Sequence, residues 1–123
     1  MVWTLNNIVG RSGERRVGLI QVLSVRGRGG VRPCGEYVGR PSALGNPFVV
    51  GRDGTQEHVV ALYRRWLRKQ WLCGGAVRQE LERLAAKYRR DGRLTLLCWC
   101  APLLCHADVI REAVLGMCAK EVR

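Results

Sequence analysis

The sequence is poor in acidic residues and contains no long apolar run. It has 10 Asp and Glu against 21 Lys and Arg, which gives a formal net charge of +11 at pH 7. No apolar run approaches the roughly 18 residues of a membrane-spanning helix, so no membrane association is predicted. The first residues also lack the basic segment and the apolar segment of a signal peptide. We therefore expect a cytoplasmic protein in which the cysteines stay reduced.

Several signatures of well-known binding sites are missing as well. There is no Walker pattern, and the run Gly27-Arg-Gly-Gly30 resembles a Gly-x-Gly-x-x-Gly fingerprint only loosely. These absences disfavour a P-loop and a dinucleotide site of the usual kind. The paired Cys-x-x-Cys motifs of structural zinc sites are also missing. No internal repeat is found, which excludes a solenoid or a propeller.

Lysine is rare among the many basic residues. Of the 21 Lys and Arg, only Lys69, Lys87 and Lys120 are lysines. A strongly positive protein attracts phosphates, nucleic acids and acidic surfaces, and arginine favours bidentate contacts to phosphate. An excess of arginine is also what a GC-rich genome produces. The charge therefore leaves two alternatives open, a polyanionic partner or a coding bias.

Apolar residues occur along the chain either in short continuous runs or at helical spacing. Runs rich in β-branched and apolar residues predict strands at 17–25, 36–38 and 94–99. Apolar residues at helical spacing predict three helices. The residues expected on the core faces of these helices are Val59, Leu62, Tyr63, Trp66 and Leu67; Val77, Leu81, Leu84, Ala85 and Tyr88; and Val109, Ile110, Ala113, Val114 and Met117. The order strand, strand, helix, helix, strand, helix predicts an α/β fold, a small Rossmann-like sheet, mostly parallel, with three main helices.

The boundaries of these elements follow from turn and capping residues. The first helix is expected to begin with Asp53 or Thr55 as its N-cap, and the second to stop near Gly92. We expect a single α/β domain over 17–118. An N-terminal edge strand and polar turn are expected over 1–16, and a short C-terminal tail over 119–123.

The segment from Arg93 to Asp108 concentrates the residues that carry chemistry. Half of the six cysteines and one of the two histidines fall within nine of its residues. They follow a predicted strand and lead into a predicted helix, which is where α/β proteins often place their sites. A helix start lowers the pKa of a thiol. Cys105, or else Cys100, is therefore predicted to be a reactive thiolate, with His106 as its base or orienting group.

Two other interpretations of this segment stay open. Cys98, Cys100, Cys105 and His106 would count to four zinc ligands, although adjacent Cys and His make awkward geometry. Alternatively, Cys98 and Cys100 are small buried side chains and His106 bonds locally. Asp108 either complements the helix dipole or orients His106 and contacts a ribose hydroxyl. No cofactor is predicted with certainty, and zinc is kept as the alternative.

The segment Gly39-Arg-Pro-Ser-Ala-Leu-Gly-Asn-Pro-Phe48 is the second candidate region. Its glycines permit unusual backbone angles and its prolines stiffen the path, so an ordered loop is predicted. Arg40 would supply charge, and Ser42 and Asn46 hydrogen bonds, to a phosphate or a base. The alternative is a structural turn in which Asn46 bonds its own backbone. A long ordered loop in a small domain favours binding.

These two regions resemble the two signatures of domain of unknown function family 4326, a small bacterial and phage-borne family. The matching motifs are Tyr37-Val-Gly-Arg-Pro-Ser-Ala-Leu-Gly-Asn-Pro-Phe48 and Leu97-Cys-Trp-Cys-Ala-Pro-Leu-Leu-Cys-His-Ala-Asp-Val-Ile110, and the stretch 63–67 fits the middle helix. Leu104 stands where a proline is usual. The resemblance covers about residues 17–118 and implies a compact α/β domain with a shared site. It implies no particular activity.

The leading functional hypothesis is a pocket between these two regions, at the carboxyl ends of the strands. Its ligand would carry phosphate, as a nucleotide, a nucleoside derivative or a nucleic acid. The residues expected to bind it are Arg40, Ser42, Asn46, Cys100 and Asp108. Cys105 and His106 would carry any hydrolase or transferase chemistry, and whether the protein is an enzyme is left open.

A second hypothesis is a basic, non-enzymatic nucleic-acid-binding accessory module, with the cysteine site structural or zinc-bound. The side chains expected to contact the nucleic acid are Arg26, Arg28, Arg64, Arg65 and Arg68. Such binding would depend steeply on salt. A third hypothesis, a protein-interaction domain acting through the basic surface, is selected by no motif. The sequence does not predict an oligomeric state.

Overall fold

Among the residues that the structure describes, three strands and three helices follow one another in the order that the sequence predicts. The computed structural model describes residues 19–27, 29, 31–99 and 105–119. The elements in these ranges are β1 (Leu19–Ser24), β2 (Glu36–Tyr37), α1 (Gln56–Cys73), α2 (Ala76–Asp91), β3 (Arg93–Cys98) and α3 (His106–Ala119). No helix within those ranges combines the length and the apolar character needed to cross a lipid bilayer.

The sheet has the order β1-β3-β2, and both pairs of strands are parallel. This confirms the predicted fold class, a small parallel α/β sheet with three helices. β3 is the central strand, and its residues Leu94, Leu96, Leu97 and Cys98 are all buried. A strand covered on both faces is expected to be apolar throughout. Because the three strands run the same way, their carboxyl ends meet at one edge of the sheet.

The helices form a layer over this sheet. α2 and α3 pack against β3, and α1 packs against α2 and α3. The core faces predicted for α2 and α3 are confirmed, since all ten of those side chains are buried. For α1 the prediction is partly wrong. Leu62 and Trp66 are only half-buried, whereas Val60 and Trp71 are buried, because α1 meets two helices and its buried stripe is turned toward both.

Two of the predicted helix boundaries are now fixed. Thr55 is the N-cap of α1, and its hydroxyl accepts a hydrogen bond from the His58 N–H at 3.1 Å. Asp53 accepts instead from the Val49 N–H at 2.8 Å, within the preceding loop. α2 ends at Gly92, whose φ of +74° lies in the left-handed region that glycine adopts without strain.

The short strand β2 is attached to α2 by charged side chains. One carboxylate oxygen of Glu36 accepts a hydrogen bond from Arg83 at 2.6 Å, and the other accepts from Lys87 at 2.6 Å. Arg83 first, and Lys87 second, hold the pKa of Glu36 below its usual value of 4.5. β2 is only two residues long, so this pair of contacts adds to a short backbone ladder.

The position of Arg64 corrects the predicted surface of α1. The nucleic-acid hypothesis requires Arg64 to be available on the surface together with Arg65 and Arg68. In the structure both terminal nitrogens of Arg64 bond the carboxylate of Glu112 on α3, the second of them at 3.0 Å. Glu112 is only 6% exposed. Arg64 thus joins two helices, because a buried carboxylate requires a counter-charge.

The predicted division of the chain is only partly within the described ranges. The predicted N-terminal strand and turn over 1–16 lie outside them, as do residues 120–123 of the predicted tail. Ala119, predicted to begin the tail, is the last residue of α3. The extent of the domain stays a prediction.

Candidate functional site

The two regions singled out in the sequence meet at one cavity. Arg40 and Asn46 line it from the loop 39–48, and Cys105 and His106 line it from the start of α3. Its volume is about 390 Å³, and the rest of its wall comes mainly from aromatic side chains and from apolar residues at the start of α1. The cavity lies at the carboxyl edge of the sheet, where open α/β folds commonly bind ligands.

The loop 39–48 is ordered by turns and by one tyrosine. The Ser42 N–H donates to the Gly39 carbonyl at 2.8 Å, and the Gly45 N–H donates to the Ser42 carbonyl at 2.9 Å. The buried hydroxyl of Tyr63 on α1 donates to the Leu44 carbonyl at 2.7 Å. The sequence predicts Tyr63 only as a core residue. The missed signal is its hydroxyl, because a buried tyrosine usually finds a polar partner.

His106 is buried and hydrogen-bonded to the backbone at Val38, directly after β2. Its Nε2 lies 2.7 Å from the Val38 carbonyl oxygen, so this nitrogen carries the proton and donates it. Burial is the main cause that lowers the pKa of His106 below 6.5; nearby Arg40 lowers it too, whereas the Val38 bond and Asp108 oppose the change. His106 is therefore neutral at pH 7. Its Nε2 is already engaged, which leaves Nδ1 as the acceptor.

This burial predicts a pH dependence of stability. The folded-state pKa of His106 is below the unfolded value of 6.5, so the unfolded chain binds the proton first as the pH falls. The stabilisation is fully present above pH 6.5 and is lost as the pH falls toward the folded pKa, with a slope of at most about 1.4 kcal/mol per pH unit. Urea unfolding between pH 7.5 and 5.5 measures it. His106→Gln should flatten this slope and His58→Gln should not; equal slopes in wild type and His106→Gln would contradict the assignment.

Cys105 has the opposite ionisation behaviour to that predicted. It is buried, and its Sγ lies 3.2 Å from the Sγ of Cys98, which is also buried. The thiol contact with Cys98, and then burial, raise the pKa of Cys105 above its usual value. The prediction of a pKa lowered by the helix start is wrong, because desolvation and the neighbouring thiol outweigh that effect. A catalytic role for Cys105 and His106 stays a prediction.

Asp108 closes the first turn of α3. One carboxylate oxygen accepts a hydrogen bond from the Cys105 N–H at 3.0 Å, and the other pairs with Arg111 at 3.2 Å. This geometry favours the interpretation in which Asp108 serves the helix start. Asp108 is not among the described residues that line the cavity.

The three polar side chains of the loop 39–48 that were predicted to bind a ligand differ in whether their hydrogen-bonding groups are available. The Asn46 side chain accepts from the Phe48 N–H at 2.9 Å and donates to the Val59 carbonyl at 3.5 Å, as the structural-turn alternative requires. The Ser42 hydroxyl is buried without a hydrogen-bond partner and does not line the cavity within the described ranges. Arg40 is exposed at the cavity. Its guanidinium has no hydrogen-bond or ion-pair partner in the part of the chain that is described.

An aromatic pair at the cavity was missed by the sequence reasoning. Trp99 directly follows β3, is 58% exposed and lines the cavity together with Tyr37. The Trp99 indole N–H donates to the Tyr37 hydroxyl at 3.1 Å, and that hydroxyl donates to the Arg40 carbonyl at 2.6 Å. The Arg26 guanidinium lies 5.5 Å from the centre of the Trp99 ring. The available signal was an aromatic residue at the end of a buried strand.

The alternative zinc set is only partly covered by the structure. Within the described ranges no three His, Cys, Asp or Glu side chains converge as metal ligands. Cys98 and Cys105 are adjacent, whereas Cys100 lies outside the described residues. The Nε2 of His106 is bonded to Val38. The zinc set, and a ligand-binding role for Cys100, stay predictions.

The arginines predicted to contact nucleic acid do not form one described surface. Arg65 and Arg68 are exposed on α1, and the Arg26 guanidinium lies over the ring of Trp99. Arg64 is bonded to Glu112 on α3, and Arg28 lies outside the described residues. Arg65 and Arg68 are therefore the informative positions for testing this hypothesis on α1.

Comparison with known proteins adds a family and no activity. No significant match to this chain is found among curated proteins or among solved structures. The model of the family described as Domain of unknown function (DUF4326) matches residues 23–116, which is more than half of the chain. This range contains both sequence motifs and the whole described cavity. The chain therefore belongs to the family Domain of unknown function (DUF4326).

Proposed function

We propose that the cavity binds a phosphate-bearing ligand of the nucleotide or nucleic-acid class. The observation that carries this proposal is the guanidinium of Arg40, which lines the cavity without an anionic partner among the described residues. Arginine is the side chain best suited to bind phosphate through two parallel hydrogen bonds. An unpaired arginine at a concave surface is therefore available to an incoming anion.

The charge of the cavity wall supports this proposal. The described residues that line the cavity include Arg40 but no Asp or Glu. The Arg26 guanidinium does not line the cavity, but it lies over the ring of Trp99, which does, and adds a second positive charge nearby. A phosphate would thus meet attraction without a carboxylate in the described wall, although Asp108 bonds the Cys105 N–H behind it. A low-dielectric wall strengthens such attraction.

Two helix starts support it as well. Gln56, the first residue of α1, lines the cavity, and so do Cys105 and His106 at the start of α3. Helix N-termini favour anions because their first N–H groups are unpaired and their dipoles are positive at that end. Bonds from N–H groups at these helix starts to Thr55, Cys105 and the Asp108 carboxylate lessen this contribution. Arg40 therefore remains the main anchor in the proposal.

The state of Cys105 and His106 favours binding over nucleophilic catalysis. The thiol is protonated at neutral pH because its pKa is raised, and it contacts Cys98. The His106 Nε2 already donates to Val38. In the proposal these two residues form part of the wall, and any hydrolase or transferase chemistry would require Nδ1 of His106 or a rearrangement of the thiol.

Substitution of Arg40 tests the phosphate anchor. Arg40→Ala is expected to weaken the binding of AMP by at least about tenfold, because one charge-assisted hydrogen bond is worth roughly 1.5–3 kcal/mol. Isothermal titration calorimetry at low salt measures the affinity. Arg65→Ala removes an exposed arginine of α1 away from the cavity and is the matched control. Equal AMP affinity in the Arg40→Ala and wild-type proteins would overturn the proposal.

A further inference from the structure

We infer that Trp99 is a stacking surface for the base of the bound ligand, so that the ligand is a nucleotide rather than a simple phosphate ester. This inference rests on the proposed phosphate site at Arg40 and adds a second recognition element beside it. The feature behind it is an exposed aromatic ring that is held in a fixed orientation at the cavity.

Trp99 is the only exposed tryptophan among those that the structure describes. The residues before it on β3, Leu96, Leu97 and Cys98, are buried, and Trp71 on α1 is buried too. Trp99 alone of these leaves 58% of its surface open, at the wall of the cavity. Exposed tryptophan costs hydrophobic free energy and is enriched at binding surfaces. The ring is therefore a candidate contact for an apolar or aromatic part of the ligand.

Hydrogen bonds orient this ring and connect it to the phosphate anchor. The indole N–H donates to Tyr37 at 3.1 Å, and the Tyr37 hydroxyl donates to the carbonyl of Arg40 at 2.6 Å. The polar edge of the indole is therefore already satisfied, and the Arg26 guanidinium lies over one face of the ring, 5.5 Å from its centre. The opposite face is what remains for a ligand. The same chain of bonds fixes the ring relative to the backbone of Arg40, so a ring and a phosphate can be bound together.

An arginine guanidinium lies over each of the two aromatic rings. The Arg26 guanidinium is 5.5 Å from the centre of the Trp99 ring, and the Arg32 guanidinium is 5.7 Å from the centre of the Tyr37 ring. Proteins that bind single-stranded nucleic acids and nucleotides combine aromatic rings, on which bases stack, with arginines that attract the phosphates. Every base can stack on an aromatic ring, so this arrangement favours ligands that carry a base but does not discriminate among the bases.

The inference predicts an order of affinities that a phosphate site alone does not. AMP is expected to bind about tenfold more tightly than ribose 5-phosphate, because stacking on an aromatic side chain contributes roughly that factor or more. Trp99→Leu should remove this preference, so that AMP and ribose 5-phosphate bind that variant with equal affinity. Trp99→Phe, which keeps a ring, should retain part of the preference. Trp66→Phe, on the half-buried side of α1, is the control and should retain all of it.

Calorimetry with AMP, ribose 5-phosphate and inorganic phosphate separates the ways in which the inference can fail. Equal affinities for AMP and ribose 5-phosphate, both lost in Arg40→Ala, would overturn stacking and leave the phosphate site standing. Absence of binding of all three compounds would overturn both proposals. A preference for AMP that survives Trp99→Leu would place the base elsewhere and overturn the role of Trp99.

A second measurement does not depend on the folding of the variants. AMP is expected to quench the tryptophan emission of the wild-type protein and ribose 5-phosphate is not; quenching by neither would overturn stacking. Competition of a 5′-phosphorylated oligodeoxyadenylate with AMP distinguishes a free nucleotide from a nucleotide at the end of a nucleic-acid strand. Competition at equal or lower concentration supports a stacked nucleotide at a strand end, and failure to compete supports a stacked free nucleotide.

Discussion

Replacing Arg64 with methionine is expected to lower the free energy of unfolding by about 3 kcal/mol, because it leaves a buried charge without its partner. Glu112 is only 6% exposed, and both of its carboxylate oxygens are bonded to Arg64. Methionine keeps most of the apolar stem of the side chain, so the loss reports mainly on the missing guanidinium. Urea unfolding followed by circular dichroism measures the change.

Two further variants give this measurement its controls. Arg65→Met changes an exposed neighbour on the same helix and is expected to cost less than about 0.5 kcal/mol. The double variant Arg64→Met/Glu112→Leu removes both charges and should recover part of the loss, since it leaves no buried carboxylate without a partner beside the 41% exposed side chain at position 64. If Arg64→Met is no less stable than Arg65→Met, the ion pair does not hold α1 to α3.

The same ion pair changes how the nucleic-acid hypothesis must be tested. A variant that lacks Arg64 would lose binding through loss of structure, whether or not Arg64 contacts the ligand. Arg65 and Arg68 are exposed, so their substitution changes the charge of α1 without breaking a contact between helices. Retention of salt-dependent nucleic-acid binding in the Arg65→Ala/Arg68→Ala protein would argue against a binding face on α1.

Replacing Tyr63 with phenylalanine is expected to lower the free energy of unfolding by about 2 kcal/mol. The Tyr63 hydroxyl is the donor to the carbonyl of Leu44, a residue that is fully buried. Phenylalanine keeps the ring, including its edge contact with His106 at 5.2 Å, but leaves that carbonyl unsatisfied, which costs roughly 1–3 kcal/mol. The loop that carries Arg40 should also become less protected against amide hydrogen exchange.

Tyr88 provides the matched control for this substitution. Its hydroxyl is buried on α2, and no hydrogen-bond partner for it is found in the described part of the chain. Tyr88→Phe therefore removes a buried hydroxyl without breaking a bond, and stability should change by less than about 0.5 kcal/mol or rise. Equal losses in the two variants would show that the bond to Leu44 does not stabilise the loop.

The sequence predicts the helices and the sheet well because periodicity and glycine stops are local signals. The core faces of α2 and α3 follow directly from apolar spacing. The partner of Arg64 does not, because Glu112 lies 48 residues away and a charged residue on a polar face looks the same whether it meets solvent or a carboxylate. Only packing of α1 against α3 distinguishes the two.

The site was predictable in its location more than in its chemistry. Glycines and prolines indicated that the loop 39–48 is ordered. A strand followed by a helix start indicated that Cys105 and His106 would lie near this loop. The ionisation of Cys105 depends on Cys98 and on burial, neither of which the helix start reveals. The role of Trp99 depends on its exposure directly after the buried end of β3. The pattern of apolar residues in the sequence does not indicate where that burial ends.

The attachment of β2 through Glu36 has a consequence for experiments on the cavity. Tyr37 accepts a hydrogen bond from Trp99 and donates one to the carbonyl of Arg40. It directly follows Glu36, whose carboxylate is bonded to Arg83 and Lys87. Dissolved ions weaken partly exposed charge pairs. Raising the ionic strength would then have two effects: it would weaken the attraction between ligand and protein, and it would make the cavity wall at Tyr37 less rigid. Ligand affinities measured at different salt concentrations would therefore reflect both effects and not screening alone.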